Sequence, residues 1–203
     1  SALLLHLNGY LTASEGEVRV GDLPVVKGTL VNIRKAVGML FQNSDDQLFM
    51  PVVSEDVAFG PKNLGLPAEE VEKVVVSSLE KVGACHLNGR MTHKLSTGEK
   101  RLVALAGVLA MSPDILVMDE PSSSLDPRAR RLLIETLKTF THTKIIATHD
   151  LDMASDLCSR IIVMHEGKIA ADGTPDNIFN DEKLLFETGL EKPLSMQRLN
   201  CNT

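Results

Sequence analysis

The alternation of helical and apolar segments after Ser96 constrains the fold of this chain more than any other feature. The pattern predicts, in order, a helix over residues 97–111, a strand over 115–119, a helix over 127–140, a strand over 144–148 and a short helix after Asp150. Such alternation is typical of a mostly parallel sheet with helices on its faces. We therefore predict an α/β fold.

The remaining segments are predicted from local patterns. Apolar spacing and turn residues indicate helices over 2–7 and 67–83, hairpins over 17–26 and 160–171, and a strand over 37–41. Beyond Asn180 we expect one more helix, interrupted near Pro193.

Composition narrows the possible functions. The 203 residues include 21 Lys and Arg against 27 Asp and Glu, so no basic surface for nucleic acid is indicated. The longest apolar stretch, residues 102–111, is shorter than the roughly 20 residues of a membrane span, so other chains would have to cross any membrane. Residues 2–7 lack the basic flank and cleavage site of a signal peptide. We expect the protein to stay in the cytoplasm.

Two acidic residues, Asp119 and Glu120, follow the apolar run 115–118. Ligands bind at the carboxyl ends of strands in open α/β sheets. There, Asp119 suits a Mg²⁺ ligand, and Glu120 suits a base that orients water for phosphoryl transfer. A strand also ends in two acids by chance, so this pair does not establish catalysis. His149 follows the next strand, where an isolated histidine is more often an ordinary surface residue.

Ser96 and Gly98 lie where a loop becomes the helix that continues through Glu99. Backbone N–H groups at a helix start, together with the helix dipole, form a site for anions. Ser96 also suits an ordinary N-cap, and the two roles are compatible.

The ordered set of these residues resembles the motifs of ABC-type ATPases, which couple ATP hydrolysis to closure of a protein dimer. The matching segments are the signature loop Leu95-Ser96-Thr97-Gly98-Glu99, the Walker B strand ending in Asp119-Glu120, the D-loop Ser123-Ser124-Leu125-Asp126-Pro127, the Q-loop glutamine Gln42 and the switch histidine His149. The common signature is Leu-Ser-Gly-Gly-Gln, so Thr97 and Glu99 depart from it in ways that the family tolerates.

The resemblance implies roles for these residues and names ATP and Mg²⁺ as cofactors. Gln42 and Asp119 would contact Mg²⁺, Glu120 would orient the attacking water, and His149 would contact the γ-phosphate and the catalytic carboxylate. The signature residues would bind ATP held by a partner subunit; they are Ser96, Thr97, Gly98 and Glu99. Asp126 would lie in a segment that crosses to that subunit.

Residues 41–49 and 57–66 resemble more specifically the energy-coupling-factor ATPases of micronutrient importers, particularly the cobalt and nickel type. This resemblance implies a P-loop NTPase-like ABC domain over residues 1–180, with a helical subdomain at roughly 43–96, and a helical tail over 181–203. The implied partners are a second ATPase subunit, identical or different, a transmembrane coupling protein and a substrate-binding membrane subunit. The protein would lie at the cytoplasmic face of the membrane. Met39, Phe49 and Met50 are expected to line its docking surface.

An ABC ATPase carries a phosphate loop, G-x-x-x-x-G-K-[ST], ahead of these motifs. This sequence begins at Ser1, which matches the last residue of that loop and would bind Mg²⁺ and nucleotide. We therefore expect an N-terminally truncated domain that lacks its first strands and most of the loop. On that basis, residues 1–203 alone are expected to be inactive and not to bind MgATP.

Two alternatives to a transport ATPase are weighed. A truncated or degenerate ABC module that binds partners without hydrolysing ATP stays open. A DNA-repair or chromosome-structuring ABC ATPase is disfavoured, because residues 43–95 contain no sustained heptads of a coiled coil. The transported substrate is not predicted, since another subunit selects it.

Overall fold

The computed structural model of this protein describes residues 2–197. The chain divides into two compact units, and the boundary between them lies between Ala147 and Thr148. Ser1, predicted above as a Mg²⁺ and nucleotide ligand, lies outside the described residues, as does the end of the predicted tail, 198–203. Among residues 2–197, none of the helices is both long enough and apolar enough to cross a membrane.

The first unit contains six helices and five strands within its described residues. They are α1 (Ala2–Leu7), β1 (Arg19–Val20), β2 (Leu23–Pro24), α2 (Leu30–Ala36), β3 (Val37–Leu40), α3 (Val53–Asn63), α4 (Ala68–Lys81), α5 (Thr97–Leu109), β4 (Ile115–Asp119), α6 (Pro127–Thr139) and β5 (Thr143–Ala147). Short 3₁₀ turns cover Ser44–Asp46, Cys85–Leu87 and Thr92–Lys94.

A three-stranded parallel sheet, in the order β3-β4-β5, forms the centre of the first unit. Leu40 pairs with Met118 at the end of one ladder, and Asp119 pairs with Ala147 at the end of the other. All of β3 and most of β4 are buried, as expected for parallel strands covered on both faces. The sheet brings the carboxyl ends of three strands to one edge, and the predicted α/β class is confirmed.

Helix α5 approaches β3 closely because residue 38 has no side chain. A Cβ atom on Gly38 would lie only 2.6 Å from Cγ1 of Val108, which is on α5. Leu102, Val103, Leu105 and other apolar residues of α5 are buried, so this helix is covered on most of its surface. Removal of that apolar area from water is the main force that holds α5 on the sheet.

Helices α3 and α4 follow β3 in the chain and pack against α5 and each other. They fall within the predicted helical subdomain, whose limits stay a prediction. Met39, however, does not line an exposed surface. It is 6% exposed and packs with Leu4 and Ile33 in the core of the sheet. Its predicted place in a docking surface is wrong, because both faces of β3 are covered.

The second unit contains α7 (Leu151–Leu157), β6 (Ile161–His165), β7 (Lys168–Gly173), α8 (Pro175–Phe179) and α9 (Glu182–Thr188) among its described residues. β6 and β7 form the predicted antiparallel hairpin, and Val163, Ile178 and Phe179 form its core with Leu185. The expected continuation of the tail helix to about Pro193 is wrong. Helix α9 ends at Thr188, and the next residue, Gly189, has a φ of 68°, the left-handed conformation that terminates helices.

Candidate functional site

The carboxyl end of β4 presents the two predicted acids in different environments. Asp119 is 7% exposed and still belongs to the strand, whereas Glu120 is half-buried just beyond it. The backbone of Glu120 has a φ of 45°, a left-handed conformation that non-glycine residues rarely adopt. Its N–H donates to the carbonyl of Ala147 at 2.8 Å, so the last residue of β5 holds the peptide group that precedes the Glu120 Cα atom.

Arg101 of α5 holds the peptide group that follows the Glu120 Cα atom. Its Nη2 atom donates to the carbonyl oxygens of Gln42 at 2.7 Å and Glu120 at 2.9 Å, and its Nη1 atom donates to the carbonyl of Phe41. Arg101 is only 2% exposed. Burial lowers the pKa of its guanidinium, while the negative charge of Asp119 acts in the opposite direction. Arginine nevertheless stays protonated in proteins, so a permanent buried cation joins the ends of β3 and β4.

Arg101 was not among the predicted site residues. A signal was available, because Arg101 directly precedes the apolar run 102–111 on a helix that buries most of its length. A charged residue in such a helix is rarely buried without polar partners. The sequence does not show which carbonyl groups those partners are.

Gln42 follows β3 in an exposed loop, and neighbouring side chains fix the course of that loop. The side-chain amide of Gln47 accepts from the Phe41 N–H at 3.1 Å and donates to the Met39 carbonyl at 3.3 Å. The Gln47 amide thus makes the two backbone hydrogen bonds that a neighbouring strand would otherwise make with Met39 and Phe41. As a result, the exposed Gln42 side chain projects from a backbone that is anchored on both sides.

The loop continues to an exposed aromatic surface. The carboxylate of Asp56 accepts from the N–H groups of Phe49 and Met50 at 2.9 and 2.7 Å, and the hydroxyl of Thr92 donates to the Met50 carbonyl at 2.6 Å. Burial raises the pKa of the Asp56 carboxyl, although both N–H groups act to lower it. The ring of Phe49 is 61% exposed and stands edge-on to that of Phe59, with 4.6 Å between centroids.

The signature segment forms a self-contained turn at the start of α5. Glu99 Oε2 accepts from the Ser96 N–H at 2.7 Å, and Ser96 Oγ accepts from the Glu99 N–H at 3.3 Å, which is a capping box. The Ser96 N–H contact lowers the pKa of the Glu99 carboxyl. The predicted N-cap is thus confirmed. Thr97 and Gly98 are the first two helical residues, whose N–H groups have no acceptor within a helix.

Asp126 lies beside this turn and caps the next helix. Its Oδ1 atom accepts from the N–H groups of Arg128 and Ala129 at 2.9 and 3.0 Å, which fixes the start of α6. A Cβ atom on Gly98 would lie 3.4 Å from Cβ of Ala129 and 3.9 Å from Oδ2 of Asp126. The structure therefore brings the predicted signature and D-loop residues together.

His149 belongs to the second unit, and the site described above lies within the first. It is exposed, two positions after β5, and precedes Asp150, whose side chain caps α7 through the Met153 N–H at 3.0 Å. The predicted site residues of the first unit thus form two groups. Gln42, Asp119 and Glu120 cluster around Arg101, whereas Ser96, Thr97, Gly98 and Glu99 adjoin Asp126.

The side-chain oxygens of Asp119 and Gln42 suit a Mg²⁺ ion that is also bound by a nucleotide. Among residues 2–197, no three or more His, Cys, Asp and Glu side chains are grouped to hold a metal ion. Asp119 offers one carboxylate and Gln42 one amide oxygen. Mg²⁺ is commonly held by one or two protein oxygens while water and phosphate complete its octahedron, so this donor set fits a nucleotide-associated Mg²⁺ rather than a metal held by protein alone.

Comparison with known proteins is in accord with this fold and set of motifs. Residues 1–123 match the profile of the ABC transporter family. A putative ABC transporter ATP-binding protein of Geobacter sulfurreducens is 59% identical over 97% of this chain and 79% of its own length. An energy-coupling factor transporter ATP-binding protein, EcfA, of Methanothermobacter thermautotrophicus is 46% identical over 98% of this chain and 66% of its own length.

Solved structures agree. The structure of cbiO1 from Clostridium perfringens, described as part of the ABC transporter complex cbiONQ, has a TM-score of 0.79 and 36% identity, and the match covers 92% of this chain and 76% of that one. An ATP-binding cassette bound to ADP and phosphate has a TM-score of 0.76 at 23% identity, which supports the fold. This chain belongs to the ATP-binding proteins of the ABC transporter family, and its relatives include energy-coupling-factor ATPases.

Proposed function

We propose that this protein is the ATP-hydrolysing subunit of an importer of the energy-coupling-factor type, which takes up a micronutrient such as a metal ion or a vitamin. One observation carries the hydrolytic part of the proposal: a single nitrogen of Arg101 binds the backbone of both Gln42 and Glu120. The relatives EcfA and cbiO1 support the transporter type.

Within this proposal, Asp119, Gln42 and Glu120 at the edge of the sheet have different roles in phosphoryl transfer. Asp119 and the Gln42 amide are ligands of Mg²⁺, which neutralises charge on the transferred phosphoryl group when bound. Glu120 orients the attacking water and accepts its proton. His149, which belongs to the second unit, is retained as a contact of the γ-phosphate from its motif position alone. Ser1 is retained as a Mg²⁺ and nucleotide ligand from its motif position alone.

The signature turn is proposed to bind ATP held by a second ATPase subunit, identical or different. The N–H groups of Thr97 and Gly98 point out of the first turn of α5, where the helix dipole favours an anion. Ser96 and Glu99 stabilise that turn through their capping box. Asp126, next to Gly98, would face the same subunit. ATP would therefore complete a site made from two subunits.

The exposed aromatic surface, Phe49 with Phe59 and the adjoining Met50, is the proposed docking surface for a transmembrane coupling protein. Asp56 and Thr92 hold the backbone of Phe49 and Met50 through hydrogen bonds. The coupling protein would in turn carry a substrate-binding membrane subunit. This arrangement would place the protein at the cytoplasmic face of the cell membrane as a peripheral subunit.

The deciding experiment compares Glu120→Gln with Glu135→Gln in the full-length gene product, because Glu135 is an exposed residue of α6 away from the site. We expect Glu120→Gln to retain ATP binding, to accumulate an ATP-bound dimer and to hydrolyse ATP roughly 10²-fold more slowly or worse. Glu135→Gln should match the parent protein. Near-normal turnover by Glu120→Gln would remove Glu120 from this role, and a parent protein that binds its partners without any hydrolysis would favour the non-hydrolysing module.

A further inference from the structure

The Arg101 guanidinium lies where strands β3 and β4 separate. Their ladder ends at Leu40 and Met118, whereas the ladder between β4 and β5 continues to Asp119 and Ala147, and the Glu120 N–H donates to the Ala147 carbonyl. Just beyond the ladder, the carbonyl groups of Phe41 and Gln42 on one strand extension and Glu120 on the other all accept from Arg101. The guanidinium thus takes the place of backbone ladder bonds at the point of divergence.

The planar shape of arginine suits this position better than any other side chain. Its five N–H donors form a fixed fork, and here two nitrogens of that fork reach three carbonyl groups from two segments. A lysine ammonium is a compact charge on a flexible stem and does not impose that geometry. The distance between the Gln42 and Glu120 backbones is therefore defined by one rigid group that contacts both.

The backbone conformation of Glu120 makes this constraint consequential. A non-glycine residue with a φ of 45° is held at a cost, and such residues persist only where surrounding contacts over-determine them. At Glu120 those contacts are the N–H bond to Ala147 and the carbonyl bond from Arg101, with a third from the Ser123 N–H at 3.1 Å. Loss of the guanidinium would remove one of the constraints on the Glu120 carbonyl, which would loosen the backbone there and allow the Glu120 carboxylate to move.

Arg101 also lies on the same helix as the signature turn, two residues after Glu99. A displacement of the first turns of α5 would therefore move the guanidinium and the two carbonyl groups bonded to Nη2. We infer that Arg101 is a positioning residue: it sets the Glu120 carboxylate and the Gln42 side chain for hydrolysis and ties their placement to the signature turn. This inference rests on the proposed function and adds a residue that its motifs do not include.

The test measures ATP hydrolysis by the full-length gene product with Arg101→Lys, Arg101→Gln, Glu120→Gln and the double variant Arg101→Lys/Glu120→Gln. Arg131→Lys is the control, because Arg131 is an exposed residue of α6 outside the site. Turnover is expressed per nucleotide-binding site, counted by equilibrium titration with MgATP, so that any loss of folded protein does not enter the result.

We expect Arg101→Lys and Arg101→Gln to keep the affinity for MgATP within about threefold and to lower kcat by roughly 10- to 100-fold, as a misplaced catalytic group does. Because Arg101 acts through Glu120, the double variant should be scarcely slower than Glu120→Gln alone. Arg131→Lys should be unchanged. A purely structural role would reduce the number of binding sites and leave kcat per site intact.

Two outcomes overturn the inference and leave the proposed function standing: kcat per site unchanged in both Arg101 variants, or losses that multiply in the double variant, while Glu120→Gln alone is strongly impaired. If Glu120→Gln itself turns over normally, the proposed function fails instead. The two failures are therefore distinguished by the single variants within one set of measurements.

Discussion

Helix α5 contributes to both groups of candidate site residues, because it begins in the signature turn and carries Arg101, and the two groups are held in different ways. The signature turn is closed by bonds between Ser96 and Glu99, three positions apart in the chain. The second group, Gln42, Asp119 and Glu120 at the ends of the strands, is joined by bonds from Arg101 to Gln42 and Glu120. These two residues are 59 and 19 positions away from Arg101 in the chain. One group is thus organised by its own sequence, and the other exists only when the sheet and α5 have come together.

Burial follows the same division. Ser96 and Thr97 are exposed, and the Arg90–Glu99 ion pair that borders the turn, at 2.9 Å, is on the surface. Arg101, Asp119 and the surrounding strands are buried. A hydrogen bond lost at the surface is replaced by water, whereas a buried polar group without a partner keeps its full desolvation cost. Changes in the two groups should therefore differ in energy as well as in function.

The largest expected effect comes from removal of the buried guanidinium. Arg101→Met should lower the free energy of unfolding by about 3–5 kcal/mol, because it removes the buried cation close to Asp119 and its hydrogen bonds to the carbonyl groups of Phe41, Gln42 and Glu120. Arg90→Met, which removes an exposed cation from the signature turn, should cost about 0–1 kcal/mol. Urea denaturation of both variants measures the two losses. Equal losses would break the distinction between the groups.

A second prediction concerns dimerisation. Gly98→Glu should weaken ATP-driven association of the subunits by about 100-fold, because association would bring the new carboxylate against the phosphates of the partner's ATP, and like charges at an interface cost several kcal/mol. ATP binding by each monomer should persist. Gly98→Ala is the matched control, since a Cβ atom there meets Ala129 at an ordinary contact distance of 3.4 Å. Sedimentation with ATP is the measurement; a Gly98→Glu variant that dimerises like the parent would contradict the signature assignment.

A third prediction isolates the capping box. Ser96→Ala should destabilise the protein by about 1 kcal/mol, the usual cost of losing an N-cap oxygen. Thr97→Ala, one residue further on, should change stability by less than about 0.5 kcal/mol, because Thr97 is exposed and makes no cap. Thermal unfolding distinguishes them. A Thr97→Ala loss as large as that of Ser96→Ala would show that the turn is not closed by Ser96.

The smallest expected effect is on the pH dependence of stability, to which the buried Asp56 and the capping residue Glu99 should contribute with opposite sign. The pKa of the buried Asp56 is raised from 3.8, so the folded state binds more protons and stability falls as pH rises from about 3.8 through the folded pKa. The pKa of Glu99 is lowered from 4.5, so its contribution is present above about pH 4.5 and is lost as pH falls through the folded pKa. Unfolding curves for Asp56→Asn and Glu99→Gln, taken between about pH 3 and 6, should deviate from the parent in opposite directions.

Local patterns accounted for much of the fold. The helix that ends before Gly9, the strand Ile115–Asp119 and the hairpin of β6 and β7 all lie where the sequence predicted them. Each depends on turn or cap residues and on the periodicity of its own apolar positions. Helices α2 and α8 were not predicted. They have 7 and 5 residues, too few turns for a helical period to stand out.

The motif residues of the candidate site were also recognisable from sequence, but their supports were not. Ser96 was identified as an N-cap because such caps act on the next two or three residues, whereas Asp126 was identified through the resemblance of residues 123–127 to the D-loop. Gln47, Asp56 and Arg101 were not, because each bonds to backbone groups whose position depends on how strands and helices pack. Met39 was misassigned for the same reason, since burial on both faces of a strand follows from what covers it.

The sequence by itself determined the α/β class, the order of the motifs and the capped helix starts, because these depend on periodicity and on bonds between residues a few positions apart. The tertiary structure alone decided that Gln42 and Glu120 share one guanidinium nitrogen and that Gly98 lies beside Asp126. Any backbone carbonyl can accept a hydrogen bond from arginine, so the presence of Arg101 in the sequence does not indicate which carbonyl groups it bonds. The partner is chosen only when packing of α5 on the sheet removes water and leaves those carbonyl groups within reach.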